Sequence, residues 1–254
     1  MLRETYKGAD NAEVLAGAAQ ALVDKQVEMG LAEDIARRAL DLTETRSARI
    51  KLASIDNDDM ETMQLLARIW DALGWIYFEG AKLDLALSYA RPAFFTAQNT
   101  TAGYHLGRIY EKQGKVLEAL GTYSSALNSI PFSPDSAARE ACAERRRVLI
   151  TKPPPANATF FTALPSIRLP LLGDGDGGAE FLVTIDQGHI VETRFIRGDQ
   201  QMKAADEMLR KADYSAYVPS GSAAHLVRHG LLSCTQSTKH CMFTMTPAAA
   251  RVPW

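Results

Sequence analysis

Three cysteines and five histidines carry most of the reactive chemistry in this 254-residue chain. A cysteine nucleophile needs an imidazole base and an orienting carboxylate beside it. Cys142 lies in a helical stretch with no histidine close in sequence, and reads most simply as a small buried side chain. Cys234 and Cys241 stand near His240, but no active-site motif surrounds them. His225 and His229 are four apart, the spacing of two zinc ligands on a helix. Pro219, Ser220 and Gly221 precede them, and the alternation through Leu226 and Arg228 favours a strand, where the two rings share a face but stand well apart. Asp174 and Asp176, in Gly173-Asp-Gly-Asp-Gly-Gly178, begin like a calcium loop without its third acidic ligand or closing glutamate. The same run lacks the lysine and following helix of a phosphate loop. These groups predict no catalytic residue, no metal site and no cofactor.

Cys234 and Cys241 also face a chemistry with each other. Gly230 to Cys234 and Cys241 to Met245 read as strands joined by the polar residues Thr-Gln-Ser-Thr-Lys-His. Antiparallel pairing brings facing Cβ atoms to about 4.5–5.5 Å, within reach of a disulfide. Two reduced thiols or a zinc pair are the competing readings. A disulfide would place the chain in an oxidising compartment such as the periplasm.

The helical part that precedes these strands contains one pattern written twice. Trp70, Leu73, Gly74 and Tyr77 are followed by Ala86, Ala90 and Ala93; then come Leu106, Gly107, Tyr110 and Gly114, followed by Ala119, Tyr123, Ala126 and Pro131. Leu73 to Leu106, Gly74 to Gly107, Tyr77 to Tyr110, Ala86 to Ala119 and Ala93 to Ala126 all step by 33. Such a fixed step marks an internal repeat. Each copy reads as two antiparallel helices: Leu106, Tyr110 and Gln113 share a face, and Gly107 lets the partner helix approach closely. Ala119, Tyr123 and Ala126 recur at helical spacing on that partner, Gly114 opens the turn and Pro131 stops the second helix.

This pattern resembles the tetratricopeptide repeat, W-x2-L-G-x2-Y followed by A-x3-F, then A and P. The second copy has Gly103 in place of the Trp, the first has Ala90 for the aromatic and Gln98 for the proline, and the residue missing from the family's usual length falls in the linker Gln98 to Thr101. The resemblance implies a stack of helix pairs whose first helices line a groove for a peptide or protein partner. The groove positions are Arg68, Asp71, Trp75 and Phe78, then Thr101, Tyr104, Arg108 and Glu111. Trp75 and Phe78 are large and apolar yet off the packing face, which suits a peptide anchor.

Upstream, Asn11 to Lys25 reads as a helix capped by Asp10 or Asn11, and Glu33 to Leu42 as a second with Ala36, Ala39 and Leu40 inward. Ala32, Ala36 and Ala39 would then stand where Ala86, Ala90 and Ala93 stand later, making a degenerate repeat. The polar break Ala53-Ser-Ile-Asp-Asn-Asp-Asp59 leads into the long helix that carries Trp70. A helix from about Asp135 to Leu149 caps the stack. Arg145, Arg146 and Arg147 lie near its C-terminal end, where cations suit the helix dipole.

Lys152-Pro153-Pro154-Pro155 cannot be helical and marks the boundary. The expected domains are a helical repeat domain over residues 1–151, with its clearest copies at 67–99 and 100–133, a Pro/Gly-rich linker over 152–178, and a small α/β domain over 179–254. In that last domain Phe181 to Ile185 and His189 to Ile196 form a hairpin, a helix follows with Met202, Ala205 and Leu209 inward, and Ala224 to Ser233 and Met242 to Thr246 are two more strands. The fold class is therefore α+β, an N-terminal helical repeat followed by strand-strand-helix-strand-strand. Asp186-Gln187-Gly188, Ile196-Arg197-Gly198, Ala204-Ala205 and Tyr217-Val218-Pro219 make this segment similar to the C-terminal domain of TonB. TonB's membrane anchor and Pro-rich spacer are not present. The combination of repeats and TonB-like tail resembles the C-terminal third of large bacterial proteins that carry a transglutaminase-like domain upstream and belong to the cell envelope.

A net charge of −2 argues against a general nucleic-acid binder. No apolar run reaches the roughly 18 residues of a membrane helix, and the polar N-terminal stretch does not read as a signal peptide. The expectation is a non-catalytic scaffold for a protein or peptide partner in the bacterial cell envelope, with no nucleic acid, no membrane insertion and no cofactor. The alternative is an accessory C-terminal portion of a transglutaminase-like or peptidase-like enzyme whose catalytic domain lies outside this chain.

Overall fold

Asparagine side chains start two of the helices. Asn11 accepts the backbone N–H of Val14 at 2.9 Å and Asn99 that of Ala102 at 2.9 Å, each satisfying a donor of the first turn. The computed structural model describes residues 8–128, 136–151, 166–173 and 176–248. Its chain forms an α+β fold with a helical N-terminal part, divided into two units: 1–42 with 65–163, and 43–64 with 164–254.

The described helices of the first part are α1 (Ala12–Asp24), α2 (Met29–Ser47), α3 (Asn57–Glu79), α4 (Leu83–Ala97), α5 (Thr100–Lys112), α6 (Val116–Asn128) and α7 (Ser136–Ile150). Small residues set their approach. A Cβ on Gly74 would meet Ala90 atoms of α4 at 3.0–3.2 Å, and one on Gly107 would meet the Tyr123 ring of α6 at 2.3–2.8 Å. Gly103, which replaces the repeat's Trp, faces Ala126 and the ring of Phe94, so Phe94 supplies the missing volume. Gln98 closes α4 in the left-handed region at φ 47° and the next residue caps α5, so the link expected to be short is a two-residue turn. Helix α5 packs against α4, α6 and α7. Pro131 and Lys152 to Pro155 lie outside the described residues.

The degenerate first pair repeats one contact of its successors. Ala32, Ala36 and Ala39 are as fully buried as Ala86, Ala90 and Ala93. Arg37 on α2 donates to the Tyr77 hydroxyl of α3, and Arg91 on α4 donates through Nε to the Tyr110 hydroxyl of α5 at 3.2 Å. Arg37 to Arg91 and Ala32 to Ala86 both step by 54, which is 21 more than the regular 33. The excess falls between Arg37 and Tyr77, where residues 43–64 belong to the second unit.

That unit is an antiparallel sheet of order β1-β5-β4-β2-β3, with β1 (Ser166–Pro170), β2 (Gly177–Asp186), β3 (His189–Gly198), β4 (Leu226–Thr235) and β5 (His240–Met245). Gln187 and Gly188, both at positive φ, make the tight β2–β3 turn. A 3-10 helix (Gln200–Ala205) runs into α8 (Asp206–Lys211), and Met202, Ala205 and Leu209 are buried as their spacing predicts.

Two boundaries differ from expectation. The stretch 152–178 is not wholly a linker: Ser166–Pro170 is a strand paired with β5, with Ile167 opposite Phe243 and Leu169 opposite Cys241. An edge strand tolerates Pro170 because a ladder donor is not needed on its outer side. Likewise residues 43–64 do not belong to the helical unit. Leu52 O accepts from Arg194 Nη1 at 2.9 Å, Ser47 Oγ accepts the His225 N–H at 3.1 Å, and Met63 Sδ lies 3.0 Å from the Val227 nitrogen. Leu52, Met60 and Met63 are buried together with Leu182 and Val227 of the sheet. A sheet with two apolar faces needs cover on both, and this segment supplies one of them.

Candidate functional site

The helical unit gathers acid, imidazole and aromatic side chains between α3 and α5. His105 Nδ1 lies 2.9 and 3.0 Å from the two carboxylate oxygens of Asp71, and each side chain is 11% exposed. The Trp75 ring stacks on His105 at 4.2 Å and on Phe78 at 4.7 Å, with Tyr104 tilted 6.2 Å away. Arg108 Nη1 donates to the Tyr104 hydroxyl at 2.8 Å, and its guanidinium lies 5.7 Å from the Tyr104 ring and 5.9 Å from that of Phe78. Such placements are weak cation–π contacts. Trp75, Phe78, Tyr104 and Arg108 are all half-buried, so the cluster reaches the surface over the buried Asp71–His105 hydrogen bond.

Asp71, Trp75, Phe78, Tyr104 and Arg108 thus lie together, with Asp71 buried rather than exposed as a groove position would be. Arg68 is exposed on α3, and Thr101 is half-buried in the first turn of α5. Glu111 is turned to other work. It accepts Arg145 Nε at 2.9 Å, Arg145 Nη2, and the Tyr123 hydroxyl at 2.6 Å. Its carboxylate ties α5 to α6 and α7, and its side chain is only 11% exposed, so little of it is open to a partner. Burial alone would raise the Glu111 carboxyl, but the Arg145 and Tyr123 hydrogen bonds outweigh it and hold it below its ordinary value. Burial, with Glu111 as hydrogen-bond partner, pushes the Tyr123 hydroxyl well up.

His105 is the member that sequence reasoning missed. One signal was available: Asp71 and His105 are 34 residues apart, one more than the repeat step, so neighbouring first helices bring them close. A carboxylate on Nδ1 fixes an imidazole's tautomer and orientation, as in hydrolase triads. Among the described residues no hydroxyl or thiol hydrogen-bonds to His105, so the pair here orients the ring beneath Trp75.

In the second unit Cys234 and Cys241 face each other across β4 and β5 and form a disulfide, buried beside Met202 Sδ, 3.6 Å from Cys234 Sγ. His229 pairs with Glu180 at 3.2 Å and His225 with Asp186 at 3.5 Å. Burial lowers the His229 imidazole's affinity for a proton, and Glu180 only partly opposes this. Among the described residues no three of these side chain types converge as a metal site. Cys142 is buried on α7, 3.7 Å from Thr100 O. A cavity of about 410 Å³ lined by Gln187, Ser215 and the loop Val218 to Ala223 carries no titratable side chain.

No protein family, no curated protein and no solved structure matches this chain. Among the described residues no helix is long and apolar enough to cross a membrane.

Proposed function

We propose that the chain is a non-catalytic interaction scaffold whose helical unit binds a protein or peptide partner through the face of α3 and α5. One observation carries this reading: the Trp75 ring stacks between a buried His105 and Phe78, so that large aromatic side chains reach the surface of the helical unit in a fixed column. Large aromatics held rigid on helices make good anchors, because little side-chain entropy is lost on binding. The repeated Arg–Tyr contacts of Arg37 with Tyr77 and Arg91 with Tyr110 support the tetratricopeptide likeness, and with it a groove on the first helices. The Cys234–Cys241 disulfide supports an oxidising compartment, hence the bacterial cell envelope.

Selection of a displayed peptide library against the whole chain tests the proposal. Selected peptides should lose binding to a Trp75→Ala variant whose unfolding midpoint is unchanged. Midpoint loss equivalent to about 3–5 kcal/mol would mark Trp75 as a core residue and sink the reading. A broad screen of amide and ester substrates should be blank; turnover abolished by Cys142→Ser or His105→Ala would make the protein an enzyme.

A further inference from the structure

We infer that the segment recognised by the α3–α5 face is acidic, with a carboxylate set beside a large apolar side chain. This rests on the proposed peptide-binding reading of the same face. The argument is the distribution of charge around the aromatic column. Both carboxylates at the expected groove positions are consumed inside the unit, Asp71 by His105 and Glu111 by Arg145 and Tyr123. Both are also only 11% exposed, so neither is well placed to receive a partner's lysine.

The cations are placed the other way. Arg108 hydrogen-bonds a neutral hydroxyl, that of Tyr104, and spreads over two ring faces. It acts on Glu111 through space, but the Glu111 oxygens are already held by Arg145 and Tyr123. Arg68 is exposed on α3. With Nη1 on the Tyr104 hydroxyl, the guanidinium has further N–H donors for a carboxylate, and the neighbouring rings restrain it in place. A carboxylate arriving there meets Arg108 while the neighbouring side chain stacks on Trp75 or Phe78. A basic segment would meet Arg68 and Arg108 while Asp71 and Glu111 are engaged within the unit, a mismatch that disfavours wrong partners.

The test uses the full chain and three labelled synthetic peptides of equal length. All carry the same central Phe; they differ in having flanking Asp/Glu, Ser or Lys. Fluorescence anisotropy should show the acidic peptide binding about tenfold tighter than the Ser peptide, the gain of one charge-assisted hydrogen bond, with affinity falling as salt rises. Arg108→Gln should erase that preference while keeping the wild-type circular dichroism and unfolding midpoint. Should the Ser or Lys peptide bind as tightly, and in a Trp75-dependent way, the face still binds peptide but the acidic assignment falls. Binding of no peptide defeats both. Acidic-peptide binding that survives both Trp75→Ala and Arg108→Gln places the contact elsewhere and overturns the inference. So does a thymidine oligonucleotide that binds more tightly than the acidic peptide.

Discussion

Glu111 on α5 receives both the Nε and Nη2 donors of Arg145, which lies 34 residues further on, on α7. Asp71 on α3 and His105 on α5 are also 34 apart. Each step from one first helix to the next therefore carries an acid–base link, and α7 occupies the place of a third such helix without the Leu-Gly-Tyr signature. Only its Ala138, Cys142 and Leu149 side is buried, as a helix that ends a stack requires.

Glu111→Gln tests that link. The amide oxygen can still accept from Tyr123 and Arg145 Nε, but the charge pairing is lost and the amide NH2 faces the Arg145 Nη2 donor, so that hydrogen bond is lost. Because the Glu111 side chain is 11% exposed, the expected cost is about 1–3 kcal/mol in urea unfolding. A change under about 0.5 kcal/mol, the range of ordinary surface substitutions, would mean the pair does not hold α7 in place.

The same carboxylate gives a pH signature. Its folded-state value lies below the ordinary 4.5, so its contribution is complete above that value and is lost as pH falls through the lower, folded one. Wild type and Glu111→Gln should differ most near neutrality and converge in acid. A gap that stays constant from pH 7 down to about pH 3 would contradict the depressed carboxyl.

Gly107→Ala sets two magnitudes against each other. Alanine favours a helix by about 1 kcal/mol over glycine. Here its Cβ would sit 2.3–2.8 Å from the Tyr123 ring, a contact the ring can relieve only by moving its hydroxyl away from Glu111. Overpacking typically costs about 1–3 kcal/mol, so the net change should be destabilising. Net stabilisation, read from the unfolding midpoint, would show that α5 and α6 are looser than this.

How much of this was legible in the sequence depended on what each residue reports. The step of 33 was plain because Leu106, Gly107, Tyr110 and the alanines pack against neighbours within one repeat. Met202, Ala205 and Leu209 were plain for the same reason: helical spacing names a buried side whatever covers it. His105 was hidden because a buried polar pair leaves no periodic trace, only a partner about one repeat away. Strand β1 was hidden by its five-residue length and its terminal Pro170. Residues 43–64 were hidden because Met60 and Met63 carry helical spacing, and spacing does not say which unit a side chain enters.

The Cys234–Cys241 bond closes a small loop between strands already paired on both sides of it. By the chain-entropy argument such a loop contributes about 2–3 kcal/mol at most. Non-reduced mass spectrometry of the native protein should find the bond intact. The double Cys234→Ser, Cys241→Ser variant should lose no more than that amount and remain folded. Free, alkylatable thiols in protein taken from its own compartment would remove the support for an oxidising location.

The inserted segment makes the sharpest structural prediction. Leu52 is fully buried in the second unit, while its own carbonyl accepts from Arg194 of β3. Truncation to alanine removes buried methyl groups from the cover over β2 and β3, and should cost about 2–5 kcal/mol. The loss belongs to the sheet although the residue lies in the N-terminal quarter of the chain. Hydrogen exchange of Leu52→Ala should therefore quicken at Leu182, Val183 and Val227 and leave Leu106 and Ile109 of α5 protected. Faster exchange in α5 with β2 and β4 unchanged would return residues 43–64 to the helical stack, and the step of 54 between Ala32 and Ala86 would need another explanation.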